Sequence, residues 1–305
     1  MSFGRHSPPA CKSKAPWGNG MGSRNAKNTV CSFTDSAFCP NFASTNRTAM
    51  PQILPRPFAG FLLSAVFMLL LPLLTSLSGE HPPRHLQCLQ RWQAGAVVDA
   101  ASVAAFGEDR CFAATAIPDS IFNRMVGKTY RQGCTVPRSH LRYLRLLHRD
   151  AKGRIILGEM VCHRDVAQQL TEIFHRLYRE GYPIERMRLA DVYDGDDLRS
   201  MAANNTSCFN FRRVAGSRHL SAHSRGVAVD INPLYNPYVR TKNGKTIVLP
   251  ESGRPYADRS VASDYRIVRG DNCHRLFTAH GFQWGGNWRT LKDYQHFELA
   301  PQRTH

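Results

Sequence analysis

The sequence predicts an α+β domain, a small and largely antiparallel sheet with flanking helices, over about residues 115–300. Three observations lead there. One segment has clean helical periodicity and another has strict strand alternation. The stretches around them alternate irregularly, with few helices, and do not repeat as strand–helix units. No internal repeat, long linker or low-complexity tract interrupts the chain after about Ile117, so one domain is expected there.

Taken in order, residues 1–49 are rich in Ser, Asn, Pro and Gly and lack apolar periodicity. They read as a disordered extension or an over-extended start. Residues 50–78 have the layout of a secretory signal: Met50, an arginine, an apolar run from Phe58 to Leu74, then small residues, with cleavage expected near Ser78–Gly79. Translation starting at Met50 would place that signal at the N-terminus. An uncleaved anchor is the competing reading, although the run is short for a span and contains Pro72. Export to the periplasm or cell envelope is expected, with membrane contact only through this segment. Residues 79–114 read as an Ala-rich lead-in.

The clearest helix is "HRDVAQQLTEIFHRLYREGYPI". Val166, Leu170, Ile173, Phe174 and Leu177 recur at helical spacing, and Gly181 with Pro183 stops it. "IERMRLADVY" has strand character and ends in a turn; "DDLRSMAANN" reads as a short helix. "GVAVDIN" alternates, with Val227, Val229 and Ile231 on a core face and Ala228, Asp230 and Asn232 on the other. Residues 234–263, rich in Pro, Gly and Tyr, read as an ordered loop beside a groove. "NCHRLFTAHGF" reads as a second helix, and "HFEL" as a closing strand.

The 305 residues carry 40 Lys and Arg against 23 Asp and Glu, a formal charge of +17. Such a chain is drawn to anionic surroundings. The basic residues are scattered, with no zinc-finger spacing, RNA-binding aromatic motif or long basic block, so no nucleic-acid partner is expected. Six of the nine cysteines follow Met50. An even number in an exported chain suggests disulfides, with buried free thiols as the alternative. No C-x-x-C pair exists, which argues against a thiolate zinc site.

His223 precedes the alternating strand and Asp230 ends it, with Gly226 allowing the chain to turn the histidine back. Near the C-terminus, "DYQHFE" adds His296 at the start of a strand, with Asp293 three residues earlier. His223, Asp230 and His296 make a three-ligand set with one open position, the pattern of catalytic rather than structural zinc. Asp293 is the candidate general base. Ser221 reads as loop-shaping rather than nucleophilic. Glu298 shares strand parity with His296 and is a candidate to orient it. Trp284 and Trp288 are candidate substrate contacts, with packing as the alternative.

"SAHSRGVAVDINPLYNPYV", "GFQWGGNW" and "DYQHFE" together resemble the zinc D-alanyl-D-alanine carboxypeptidase family (VanY-like), including its L-alanyl-D-glutamate endopeptidase branch. The pattern S-x-H-x-x-G-x-A-x-D is met by Ser221, His223, Gly226, Ala228 and Asp230, and the later D/E-x-x-H by Asp293 and His296. The aspartate in that second motif is similar to the endopeptidase and phage endolysin branch. Upstream, "NNTSCFNFR" resembles the segment whose arginine helps bind and polarise the substrate carbonyl, which maps onto Arg212. The resemblance runs from about Ile117 to Leu299. It implies a hedgehog/DD-peptidase-like fold, one Zn2+ per domain, and hydrolysis of peptidoglycan stem peptides by a metal-activated water, in a monomer. It leaves open which peptide bond is cut. A non-catalytic, metal-containing cell-wall binding module is the alternative, and retention of Asp293 and Arg212 favours the enzyme.

Overall fold

The computed structural model describes residues 83–214 and 217–299. The chain divides into two units, residues 1–74 and 75–305, and every described residue lies in the second. The expected extension (1–49) and signal or anchor (50–78) lie outside the described residues. No helix among the described residues is long and apolar enough to cross a membrane.

The elements begin earlier than the periodicity of the sequence suggests. The expected lead-in supplies α1 (Arg84–Arg91), β1 (Val97–Val98), α2 (Ala100–Phe106) and β2 (Ala113–Thr115). Leu89, Val103 and Cys111 are buried in the same core as the rest of the unit. Trp92 is fixed there by its indole N–H, which donates to the Gly158 carbonyl at 3.0 Å. After α3 (Asp119–Met125) come the two longest strands, β3 (Leu141–Arg149) and β4 (Ile155–His163). They form an antiparallel hairpin and, with β1 and β2 outside them, a four-stranded sheet in the order β1-β4-β3-β2. Asp150 holds the turn between them: its Oδ1 accepts from the backbone N–H groups of Lys152 and Arg154, each at 3.0 Å. This hairpin was not read from the sequence. β4 is buried on both faces up to its last residue, so the polar–apolar alternation that marks a half-buried strand is missing.

α4 (Arg164–Arg179) is the helix the periodicity predicts, and its apolar stripe is buried as expected. Gly181 ends it in a left-handed conformation. The strand expected over "IERMRLADVY" shortens to β5 (Arg186–Met187), and Ala190–Tyr193 close into a 3-10 turn. α5 (Asp197–Ala202) starts on Asp196, whose side chain accepts from the Arg199 N–H. β6 (Asn205–Thr206) pairs with β5 in parallel. β7 (Ala228–Asp230) follows.

The region 234–263, expected to be a loop, contains a β-hairpin: β8 (Tyr238–Lys242) and β9 (Lys245–Leu249). Asn243 and Gly244, both at positive φ, make its tight turn. α6 (Asn272–Ala279), β10 (Phe282–Trp284), β11 (Lys292–Asp293) and β12 (His296–Leu299) complete the chain. Two three-stranded antiparallel sheets result, β10-β12-β7 and β11-β8-β9. The expected α+β class, largely antiparallel with flanking helices, is therefore what the chain builds. Phe277 on α6 stacks on Phe297 of β12 at 4.4 Å and meets Phe174 of α4 edge-on at 6.1 Å. These rings tie both helices to the strand that carries His296.

Candidate metal and catalytic site

Two of the three expected ligands are placed by strand register. In the ladder between β7 and β12, Asp230 lies directly opposite His296. Directly opposite residues bring their side chains to one face. The end of β7 is pinned from its other side, where Asp230 and Ser207 exchange both backbone hydrogen bonds at 2.9 and 3.1 Å.

The third ligand rides on a 3-10 turn, Ala222–Arg225. Ser221 opens the turn, its hydroxyl accepting from the His223 N–H at 3.3 Å. Gly226 closes it at φ +69. A Cβ on Gly226 would lie 2.7 Å from the backbone nitrogen of His163 and 3.1 Å from the Cys162 carbonyl carbon. The turn is thus pressed against the end of β4, where the His163 N–H donates to the Gly226 carbonyl at 2.8 Å. Only a residue without a side chain permits that approach.

The three side chains converge. His223 Nε2 lies 3.2 Å from Asp230 Oδ2 and 3.3 Å from His296 Nδ1, and His296 Nδ1 lies 3.0 Å from Asp230 Oδ1. All three residues are buried, and the donor atoms fall within 4.8 Å of one another, a group that could hold a metal ion. The remaining ring nitrogens select the tautomers. His223 Nδ1 is 2.7 Å from the Cys208 carbonyl, and His296 Nε2 is 3.4 Å from Glu298 Oε2. An N–H donated to each of those acceptors leaves the second nitrogen of each ring, His223 Nε2 and His296 Nδ1, facing Asp230, and these are the nitrogens a metal ion would take.

The electrostatics favour positive charge at this point. Burial penalises the Asp230 carboxylate, but His223 and His296 outweigh that penalty and hold it far below the usual carboxylate range. Burial also opposes charge on His296, yet its bonds to Asp230 and Glu298 raise its pKa to about 10. Two imidazoles and a carboxylate around one point, each with an outer partner, fit a cation with nitrogen and oxygen ligands.

Asp293 stands beside this group on β11. Burial, reinforced by the charge of Asp230, pushes its pKa up to about 6 against the pull of His296. Its Oδ1 is buried with no hydrogen-bond partner among the described residues. Gly285 lets the preceding turn close on it: a Cβ there would come within 2.6 Å of the Asp293 carbonyl oxygen. Trp288 packs at 5.3 Å from the His296 ring. Trp284 does not face the site. It is 6% exposed, lies among core rings and donates its indole N–H to the Tyr294 carbonyl at 2.8 Å, so its polar edge is already used.

Arg212 is mounted on the turn that carries His223. Its N–H donates to Ser224 Oγ at 2.9 Å, and its carbonyl accepts from the Ser221 N–H at 3.1 Å. Its guanidinium pairs with Asp197 at 2.8 Å. Asp197 was not identified from the sequence. Burial lifts its pKa against the pull of Arg212, and the charges of Asp230 and His223 both reach it. Its place at the start of α5, one residue after a helix cap, was the available signal. All six cysteines among the described residues are free thiols, five of them buried, so the disulfide expectation fails there. Burial raises the Cys162 and Cys208 thiols, which suits packing rather than reactivity.

Comparison with known proteins agrees with this geometry. Residues 215–299 match the model of the D-alanyl-D-alanine carboxypeptidase family. The chain is also similar to the peptidoglycan L-alanyl-D-glutamate endopeptidase CwlK of Bacillus subtilis (strain 168), 26% identical over 82 residues, covering 20% of this chain and 49% of that protein. The chain thus spans about half the length of the curated relative it matches. No solved structure matches. The segment that matches the D-alanyl-D-alanine carboxypeptidase family model holds the three converging side chains together with Asp293.

Proposed function

We propose that this protein is an exported zinc metallopeptidase that hydrolyses peptidoglycan stem peptides, as a D-Ala-D-Ala carboxypeptidase or an L-Ala-D-Glu endopeptidase. The observation that carries the reading is the convergence of His223, Asp230 and His296 beside a buried, partly orphaned Asp293 carboxylate. The family match and the similarity to CwlK support the substrate class.

His223, Asp230 and His296 would hold the zinc, which when bound supplies Lewis acidity toward a water and a carbonyl oxygen. Asp293 takes a proton from the attacking water and delivers it to the departing amine. Burial raises the pKa of Asp293 in the metal-free protein, which favours proton uptake there. Arg212, held by Asp197, offers its remaining N–H groups to the developing oxyanion. Trp288, packed 5.3 Å from the His296 ring, is the candidate substrate contact on that side of the site.

The test is incubation of the purified protein with muropeptides, with and without a chelator, followed by mass analysis of the products. Zinc-dependent release of D-alanine, or cleavage after L-alanine, is expected, and the product masses assign the bond. A zinc-loaded protein that binds muropeptides and cuts none of them would overturn the reading in favour of a non-catalytic module.

A further inference from the structure

The hairpin of β8 and β9 lies beside the strand that carries Asp293. In register, Asp293 stands opposite Tyr238, Arg240 opposite Ile247, and Lys242 opposite Lys245. Opposite residues share a face of a sheet, as do residues two apart along a strand. Asp293, Tyr238, Arg240 and Lys242 therefore lie on one face, and Lys245 joins them across the hairpin. The other face is accounted for: Val248 is buried, and Thr241 and Thr246 bond to each other at 2.9 Å. At ~3.3 Å per residue, Arg240 stands about 7 Å and Lys242 about 13 Å along the strand from the row of Asp293.

These cations are without carboxylate partners. The hairpin sequence "YVRTKNGKTIVL" contains no Asp or Glu. No ion pair among the described residues involves Arg240, Lys242 or Lys245, and all three are exposed. Lys242 and Lys245 face each other directly, and like charges in that arrangement destabilise an antiparallel pair. A bound anion would relieve that repulsion. The tight Asn243–Gly244 turn holds the strip in place before any ligand arrives.

We propose that this face of the hairpin is a binding strip for an acidic peptide, taking the carboxylates of the chain whose backbone is cut at Asp293. The inference rests on the peptidase reading of the metal site and adds to it a preference for substrates with free carboxylates. Alignment decides between a peptide and a phosphate-rich polymer. The charges sit on alternate residues of an extended strand, continuous with the row of the candidate base, as an extended peptide lying alongside requires. A mere polyanion anchor needs no such register.

The test uses the full chain under chelator, so that no ligand is consumed. Fluorescence anisotropy measures binding of a labelled stem-type peptide with free carboxylates and of its amidated counterpart. In the R240Q/K242Q/K245Q variant the ratio of the two affinities, acid over amide, should fall about tenfold at low salt, and the gap should close at high salt. K242E alone should also narrow the preference, by less than the triple variant does. Circular dichroism and zinc content of the same variants establish that the fold is intact. Equal ratios in wild type and triple variant would overturn the inference. So would a variant that loses affinity for inorganic polyphosphate alone. A preserved acid preference in a zinc-loaded protein that cleaves nothing would sink the peptidase reading and leave the strip standing.

Discussion

His223 and His296 each spend one ring nitrogen on an outer acceptor and turn the other toward Asp230. That division of labour separates two substitutions. His223→Ala removes a ligand and should lose both zinc and activity; full zinc occupancy measured by atomic absorption would contradict the assignment. Asp293→Asn leaves the ligands untouched. It should keep its zinc while kcat falls by roughly 10²–10⁴-fold, the usual share of a positioned base. Retained turnover with bound metal would remove Asp293 from the mechanism. Both residues were legible in the sequence because their spacing is tied to short elements. Asp197 was not, because an aspartate at a helix start is ordinary until the fold sets Arg212 against it.

The turn and the strands that hold these residues set the cost of disturbing them. Gly226 sits at φ +69 against the end of β4, so Gly226→Ala meets both a strained backbone and a contact under 3 Å. A loss of about 2 kcal/mol in urea unfolding is expected, with weaker zinc binding as His223 is displaced. Unchanged zinc affinity would show that the turn does not need its present seat. Phe277 is fully buried between α4 and β12. Phe277→Ala should cost about 3–5 kcal/mol by the cavity it leaves, read as a shift in the urea midpoint. At this scale the sequence told α4 and α6 plainly, since an amphipathic stripe needs only local spacing. It hid the β3–β4 hairpin, whose buried second strand lacks alternation, and the β8–β9 hairpin, whose proline- and glycine-rich surroundings read as loop.

Across the whole molecule, pH acts through a histidine far from the ligands in sequence. His148 is buried on β3 with Nδ1 2.7 Å from the Ile184 carbonyl, and burial depresses its pKa from 6.5 to about 4. It is neutral in the fold, whereas the unfolded chain takes up a proton near pH 6.5. Its contribution is therefore intact above about pH 6.5 and is lost as pH falls toward 4. At about 1.4 kcal/mol per unit, the loss approaches roughly 3 kcal/mol at the lower limit. Thermal melts of the metal-free protein at pH 7 and pH 5 should show His148→Gln losing less stability over that interval than the unsubstituted chain, since the raised pKa values of Asp293 and His296 act in the opposite sense in both. A slope unchanged by that substitution would place the acid sensitivity elsewhere.

The sequence by itself determined the α+β class, the candidate trio His223, Asp230 and His296 with its neighbouring aspartate, and the likeness of residues 215–299 to the D-alanyl-D-alanine carboxypeptidase family. These follow from short-range spacing, which survives without knowledge of long-range partners. The tertiary structure decided what distance in the chain conceals. The register of β7 against β12 sets Asp230 opposite His296, and the Cys208 carbonyl selects the tautomer of His223. Packing drew the expected lead-in into the core and took Trp284 away from the site. The β8–β9 hairpin was set beside Asp293 through backbone pairing, which leaves no periodic mark on the side chains that a sequence displays.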